Sequence, residues 1–314
     1  VAVVGAGAVG SAFAYRLVVS GLAEEIVLID LDRDRAEAEA MDLNHGLPFA
    51  PPTAVWAGDY PDCAKADVVV ITAGTAQKPG ETRLDLIGRN SVICRSIAAK
   101  VLAQTARAVL VMVTNPVDAL TYDVIRHVGV EPGRILGSGT VLDSARFRFL
   151  LSRHCGVDAR NVHAYVLGEH GDSEMAAWSM VNIAGVRMDD YCRQCRRCEG
   201  LREREAIFRQ VRESAYHVIE SKGFTNYGIA SALLRIVGAI VRDEHSVLTV
   251  SSLLDDYLGV QDVCMSIPCV VARRGIVRRI EVDLAPDETA ELRDSAAKLR
   301  EVQESLPDRT SGSD

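Results

Sequence analysis

Between Ser138 and Asp172 the chain gathers a carboxylate, a guanidinium and an imidazole. The stretch opens Ser138-Gly139-Thr140-Val141-Leu142-Asp143-Ser144-Ala145-Arg146 and closes Gly168-Glu169-His170-Gly171-Asp172. If Val141 onward is helical, Asp143 and Arg146 share a face. An acid beside a planar fork can orient a base and grip a substrate carboxylate. His170 follows the strand-like run Ala164-Tyr165-Val166-Leu167, with glycines nearby that leave room for a ligand. These types suit a His–Asp proton-transfer pair next to an anion clamp. A surface ion pair and an unrelated loop histidine fit this stretch equally, so other segments must decide.

The elements that would position these groups begin at the first residue. Val1-Ala2-Val3-Val4 has a buried-strand pattern and runs into Gly5-Ala6-Gly7-Ala8-Val9-Gly10. Val9, Phe13 and Leu17 then recur at helical spacing, and Gly21 is placed to end the helix. A second strand, Ile26-Val27-Leu28-Ile29, stops at Asp30. Strand, glycine turn, helix, strand and acid together form a dinucleotide-binding unit. Gly5 allows the tight turn, Gly7 admits a pyrophosphate, and Gly10 lets helix and strand approach. The helix N-terminus offers amides and positive dipole to phosphates. Asp30 would bind ribose hydroxyls and repel a 2′-phosphate, which favours NAD over NADP.

Val68-Val69-Val70-Ile71 and Val109-Leu110-Val111-Met112 read as further buried parallel strands. Gly74 closes the first, against the cofactor. Thr114-Asn115-Pro116 closes the second and puts Asn115 at the ligand-binding edge of the sheet, although Asn-Pro also simply starts turns. Gln77 to Arg83, rich in Pro, Gly and charge, is expected to be an exposed loop beside the cofactor. After Asp172 the βα rhythm fades. Helices are expected over roughly 200–221 and 225–242, antiparallel strands at Val247–Val250 and Cys269–Val271, and a closing helix from about Pro286. The fold class is therefore α/β, a Rossmann-type doubly wound parallel sheet followed by an α+β domain with antiparallel strands. The expected division is 1–140 for dinucleotide binding and 141–314 for substrate and catalysis.

A formal net charge of −8 argues against a nucleic-acid binder, and no apolar run is long enough for a membrane span. Eight cysteines with no secretory leader indicate a reducing, cytoplasmic setting rather than a disulfide scaffold. The chain starts inside a strand, so a few residues are expected upstream. Cys192, Cys195 and Cys198 lie among Arg193, Arg196 and Arg197 without a usual fourth ligand, so no metal site is expected.

These motifs, in this order and over essentially the whole chain, resemble L-lactate dehydrogenases of the bacterial type within the lactate/malate dehydrogenase superfamily. The resemblance rests on Gly5–Gly10, Ala73-Gly74 with Gln77–Leu84, Thr114–Asp118, Gly137–Arg148, His163–Asp172 and Thr225–Ala230. It implies His170 as proton donor and acceptor, with Asp143 holding its tautomer. It implies Arg146 as the substrate-carboxylate clamp and Arg83 as the group that polarises the reacting carbonyl. Asn115, Asp118 and Thr225 would line the substrate site, with Gln77 facing the substrate's variable end. Cofactor contacts would come from Gly5, Gly7, Val9, Gly10, Asp30, Arg35, Tyr60, Gly74, Ser96, Asn115, Ser138 and Ile229. The implied partners are NAD, pyruvate and L-lactate, in a homotetramer. Asn226 departs from the family, which commonly has an aromatic there.

Malate dehydrogenase on the same fold is the nearest rival, and Gln77 separates the two. Malate enzymes carry arginine there, and a neutral amide cannot neutralise a second substrate carboxylate. An NAD-dependent glycosidase would need a divalent metal and has no use for Arg146. Arg148, two positions beyond Arg146, is rotated by about 200° on a helix and faces away from the site. Together with His163 it reads as two surface cations. The resemblance instead implies a pair that binds fructose 1,6-bisphosphate across a subunit interface.

Overall fold

The computed structural model describes residues 1–75, 83–195 and 201–306. Six strands form a parallel array: β1 (Ala2–Val4), β2 (Glu25–Ile29), β3 (Ala54–Ala57), β4 (Val68–Ile71), β5 (Val109–Met112) and β6 (Ile135–Gly137). Their order across the sheet is β3-β2-β1-β4-β5-β6. Every residue of β1, β4, β5 and β6 is buried. Helices cover both faces of such a sheet, which explains the continuous apolar runs. Strand order reverses between β1 and β4, so a crevice opens at their carboxyl ends.

The antiparallel strands expected around Val247–Val250 and Cys269–Val271 extend the parallel array instead of standing apart from it. Ser246–Leu254 pairs antiparallel with β6 through Ser251 and Gly137, and Val263–Ala272 and Gly275–Arg279 continue outward. Among the described residues the result is one nine-stranded mixed sheet. One apolar cluster follows it across both halves, from Val3, Val111 and Leu136 to Val250, Met265 and Ile267.

Helices α1 (Ala8–Ser20), α2 (Arg33–Gly46), α3 (Arg83–Gln104), α4 (Val117–Val128) and α5 (Val141–Cys155) alternate with the strands. They are followed by α6 (Met188–Cys195), α7 (Leu201–Lys222), α8 (Tyr227–Val241) and α9 (Pro286–Glu304). The face of α5 with Asp143, Phe147 and Leu151 is buried. Phe147 meets Trp178 edge-on at 4.8 Å, within a second apolar cluster that includes Ile207 and Val211 of α7. That packing fixes the rotation of α5 and so the direction of its charged residues.

Candidate active site

His170 sits in a loop held from three sides. Gly168 exchanges backbone hydrogen bonds with Ser266, and the Glu169 amide donates to Ser295 Oγ of α9 at 2.9 Å. The His170 amide donates to Asp118 Oδ2 of α4 at 2.6 Å. Gly168 adopts φ +93°, a left-handed value that a side chain would resist. At the start of α5, Thr140 is fully buried and its amide donates to Ser266 Oγ at 3.1 Å, so one strand anchors both the helix and the loop.

The helical spacing is realised as contact. Asp143 Oδ2 lies 2.6 Å from His170 Nδ1, and Asp143 Oδ1 accepts from Arg146 Nη1 at 2.6 Å. The Asp143 side chain is 3% exposed, Arg146 18% and His170 25%. Burial alone would raise the Asp143 carboxyl, but the His170 charge and hydrogen bond, with Arg146, hold it below the ordinary carboxylate range. Burial likewise works against the imidazolium, yet the charge and hydrogen bond of Asp143, with Asp118 and Glu174 behind, raise His170 to about 9. The ring is only partly covered, so water still reaches one edge of it. Near neutrality His170 holds a proton at an accessible edge, with its tautomer fixed by Asp143.

Asp118 is 1% exposed, and its carboxylate accepts from the His170 amide, which supports the loop from below. Burial raises the Asp118 carboxyl to about 6. Asn115 is exposed at the end of β5, and its carbonyl accepts from Asn90 Nδ2 at 3.3 Å. Asn90 Oδ1 also accepts from the Thr75 amide at 2.9 Å, which ties the end of β4 to that of β5. Thr225 is half-buried before α8, and Ile229 packs against the core from that helix. Asn226 caps α8, its side chain accepting from the Tyr227 amide and from Lys222 Nζ. Gln77 and the Arg83 side chain lie outside the described residues, as does Cys198. Cys192 and Cys195 stand at the end of α6, where the Cys195 thiol donates to the Cys192 carbonyl at 3.8 Å.

A cavity of about 640 Å³ opens at the β1/β4 switch point. Gly5, Gly7, Asp30, Arg35, Tyr60, Gly74 and Ser96 line it, while Val9, Gly10, Asn115, Ser138 and Ile229 do not. Arg33 and Lys100 also line it; neither stands out in sequence, because each occupies an ordinary helix position. A Cβ on Gly10 would lie 1.8 Å from the Gly5 carbonyl oxygen, whereas one on Gly7 would meet nothing within 4 Å. The glycine turn is thus tight on its inner side and open toward the cavity. Asp30 accepts from the Ala6 amide at 2.6 Å and the Asp32 amide at 2.9 Å, which holds its carboxylate at the cavity rim. Open glycine, free helix amides and a fixed acid fit a dinucleotide.

Arg148 turns away from this site. Its Nε donates to the Ala164 carbonyl at 3.1 Å, and its guanidinium lies over the Tyr165 ring at 5.3 Å. His163 is exposed beside Ala164. The stretch from His163 to His170 is not one extended strand, since Val162–His163 and Val166–Leu167 belong to different small sheets.

Glu174 is the site neighbour that sequence reasoning missed. It is 6% exposed, and its ligand atoms, with those of Asp143 and His170, lie within 4.8 Å of one another. Its only local signal is membership of the segment that carries His170.

The lactate/malate dehydrogenase NAD binding domain profile matches residues 1–137, and the alpha/beta C-terminal domain profile of the same family matches residues 140–308. The chain belongs to the lactate/malate dehydrogenase family. Among its relatives, an L-lactate dehydrogenase of Thermoanaerobacter pseudethanolicus is 51% identical over 306 residues, 98% of each chain. One from Treponema denticola is 52% identical over 303 residues, 96% of each. A solved lactate dehydrogenase from a Medee basin deep-sea metagenome matches with TM-score 0.95 and 40% identity over 97% of both chains. The minor L-lactate dehydrogenase of Enterococcus mundtii, in a ligand-bound form, gives TM-score 0.94 at 38% identity over 98% of both. Among the described residues no helix is long and apolar enough to cross a membrane.

Proposed function

We propose that this chain is an NAD-dependent L-lactate dehydrogenase that interconverts pyruvate and L-lactate. The observation that carries the reading is the shared Asp143 carboxylate, bonded to His170 on one oxygen and Arg146 on the other. Arg146 binds the substrate carboxylate, and His170 gives its proton to the carbonyl oxygen as pyruvate becomes lactate. Asp143 keeps the Nδ1 proton in place and stabilises the imidazolium. Arg83 polarises the carbonyl, and Asn115 and Thr225 border the substrate. Bound NADH supplies the hydride to the carbonyl carbon. Asp30 and Arg35 hold the adenosine side, Gly5 to Gly10 the pyrophosphate, and Ser138 and Ile229 the nicotinamide side. In this reading cofactor binding belongs to residues up to about 140 and catalysis to those beyond.

Gln77 assigns the substrate to pyruvate over oxaloacetate, because a buried second carboxylate would lack a counter-charge. The enzyme works as a cytoplasmic homotetramer in fermentative glycolysis. Arg148 and His163, repeated across a two-fold interface, form a cationic cradle for fructose 1,6-bisphosphate. The deciding assay is NADH oxidation with pyruvate, oxaloacetate and 2-ketobutyrate side by side. Pyruvate is expected to lead; faster turnover of oxaloacetate would transfer the chain to the malate branch.

A further inference from the structure

The turn between His170 and the strand Met175–Ala176 buries an acid that the reaction does not consume. The Glu174 amide donates to the Gly171 carbonyl at 3.1 Å, which folds the residue back under the imidazole. The side chain is 6% exposed, and Oε1 has no hydrogen-bond partner among the described residues. An oxygen so placed lacks the donor that normally makes buried charge tolerable. The ligand atoms of Glu174 lie within 4.8 Å of those of Asp143 and His170. That trio is also a cation-type donor set, but His170 Nδ1 and Arg146 already occupy the two Asp143 oxygens.

We propose that Glu174 is a positioning residue of the proton-transfer centre, a buried acid that acts through the Asp143–His170 pair and sets the pH range over which His170 keeps its proton. The proposal rests on His170 being the proton donor. Two carboxyls this close to one imidazole do not ionise independently. Burial, then the Asp143 charge, push Glu174 up to about 8, against the attraction of His170, Arg146 and Arg212. The other charged groups around the pair are Asp118 from α4 and Glu169 from the same loop. On α9, Glu291 is drawn to Arg212.

The sign follows from these charges. Below its own titration Glu174 is neutral and Asp143 carries the only negative charge bonded to the ring. As pH rises Glu174 loses its proton, and the second negative charge holds the imidazolium to a higher pH than Asp143 alone would. At this separation the added charge is worth roughly 0.5–1 pH unit on His170 in a strongly screened site.

The test is the alkaline limb of kcat/KM for pyruvate reduction in wild type and Glu174→Gln, with the His170 ring titrated by NMR in both ligand-free proteins. The Gln variant is expected to lose its imidazolium about 0.5–1 pH unit lower in both measurements. A uniform fall in activity at every pH with an unmoved midpoint would reduce Glu174 to a packing role and overturn the proposal. Should Glu174→Gln not fold, the wild-type ring decides: a two-step titration supports the coupling, and a simple one-site curve refutes it. Absence of pyruvate turnover in wild type would instead defeat the proposed function, and the NMR titration would still judge the coupling.

Discussion

Asp143 and Arg146 are bonded Oδ1 to Nη1 at 2.6 Å, through the same carboxylate that holds His170. A substrate carboxylate that engages Arg146 must therefore share the guanidinium with Asp143. The two substitutions should fail differently. Asp143→Asn removes the partner of the imidazolium and should lower kcat on the order of 10²–10⁴-fold. Arg146→Gln removes the guanidinium proposed to grip the substrate carboxylate and should also raise KM for pyruvate steeply. Steady-state kinetics on both variants check this, and an Asp143→Asn enzyme with normal kcat would contradict the shared role.

The upward shift of His170 sets opposite pH limbs for the two directions. In the proposed mechanism pyruvate reduction needs the imidazolium, so it should hold on the acid side and fall as pH climbs through about 9. Lactate oxidation needs the neutral ring and should rise over the same range. His170→Asn should abolish turnover in both directions while leaving NADH binding nearly intact by fluorescence titration.

Two glycines of the turn predict contrasting losses. Gly7→Ala meets no atom within 4 Å, so thermal stability should stay near wild type while NADH affinity falls as the methyl faces the cavity. Gly10→Ala would press a Cβ to 1.8 Å from the Gly5 oxygen and should damage folding itself. Thermal melts beside NADH titrations separate the two cases.

Gln77→Arg should move preference from pyruvate toward oxaloacetate. A charge pair gained in a desolvated pocket is worth on the order of 2–5 kcal/mol, so the ratio of kcat/KM values should shift by orders of magnitude. A ratio unchanged by the substitution would remove Gln77 from the specificity site.

Fructose 1,6-bisphosphate should lower half-saturation for pyruvate. Arg148→Gln should remove the effect. Superimposable saturation curves with and without millimolar bisphosphate would end this assignment.

Local pattern made the parts of the site visible in sequence. The spacing of Asp143 and Arg146 survives as a hydrogen bond because the helix is continuous and Phe147 fixes its rotation. The glycine turn was legible because its steric demand is met within one βαβ unit. Glu174 was not, since two residues past Asp172 it reads as one more turn acid, and only long-range packing buries it. The bond from the His170 amide to Asp118 joins two motifs far apart in the chain, and no local pattern announces it. The pairing of Ser251 with Gly137 joins segments far apart along the chain, beyond the reach of any periodicity.

That pairing also bears on how the chain is made. During synthesis β6 leaves the ribosome long before Ser246–Leu254 exists to cover it. Until then Ile135 and Leu136, both fully buried in the finished protein, border an open edge in the middle of the future sheet. An uncovered apolar edge invites pairing with another nascent chain, so this interval is when aggregation threatens most. The last strand of the first half gains its outer neighbour only when Ser246–Leu254 arrives.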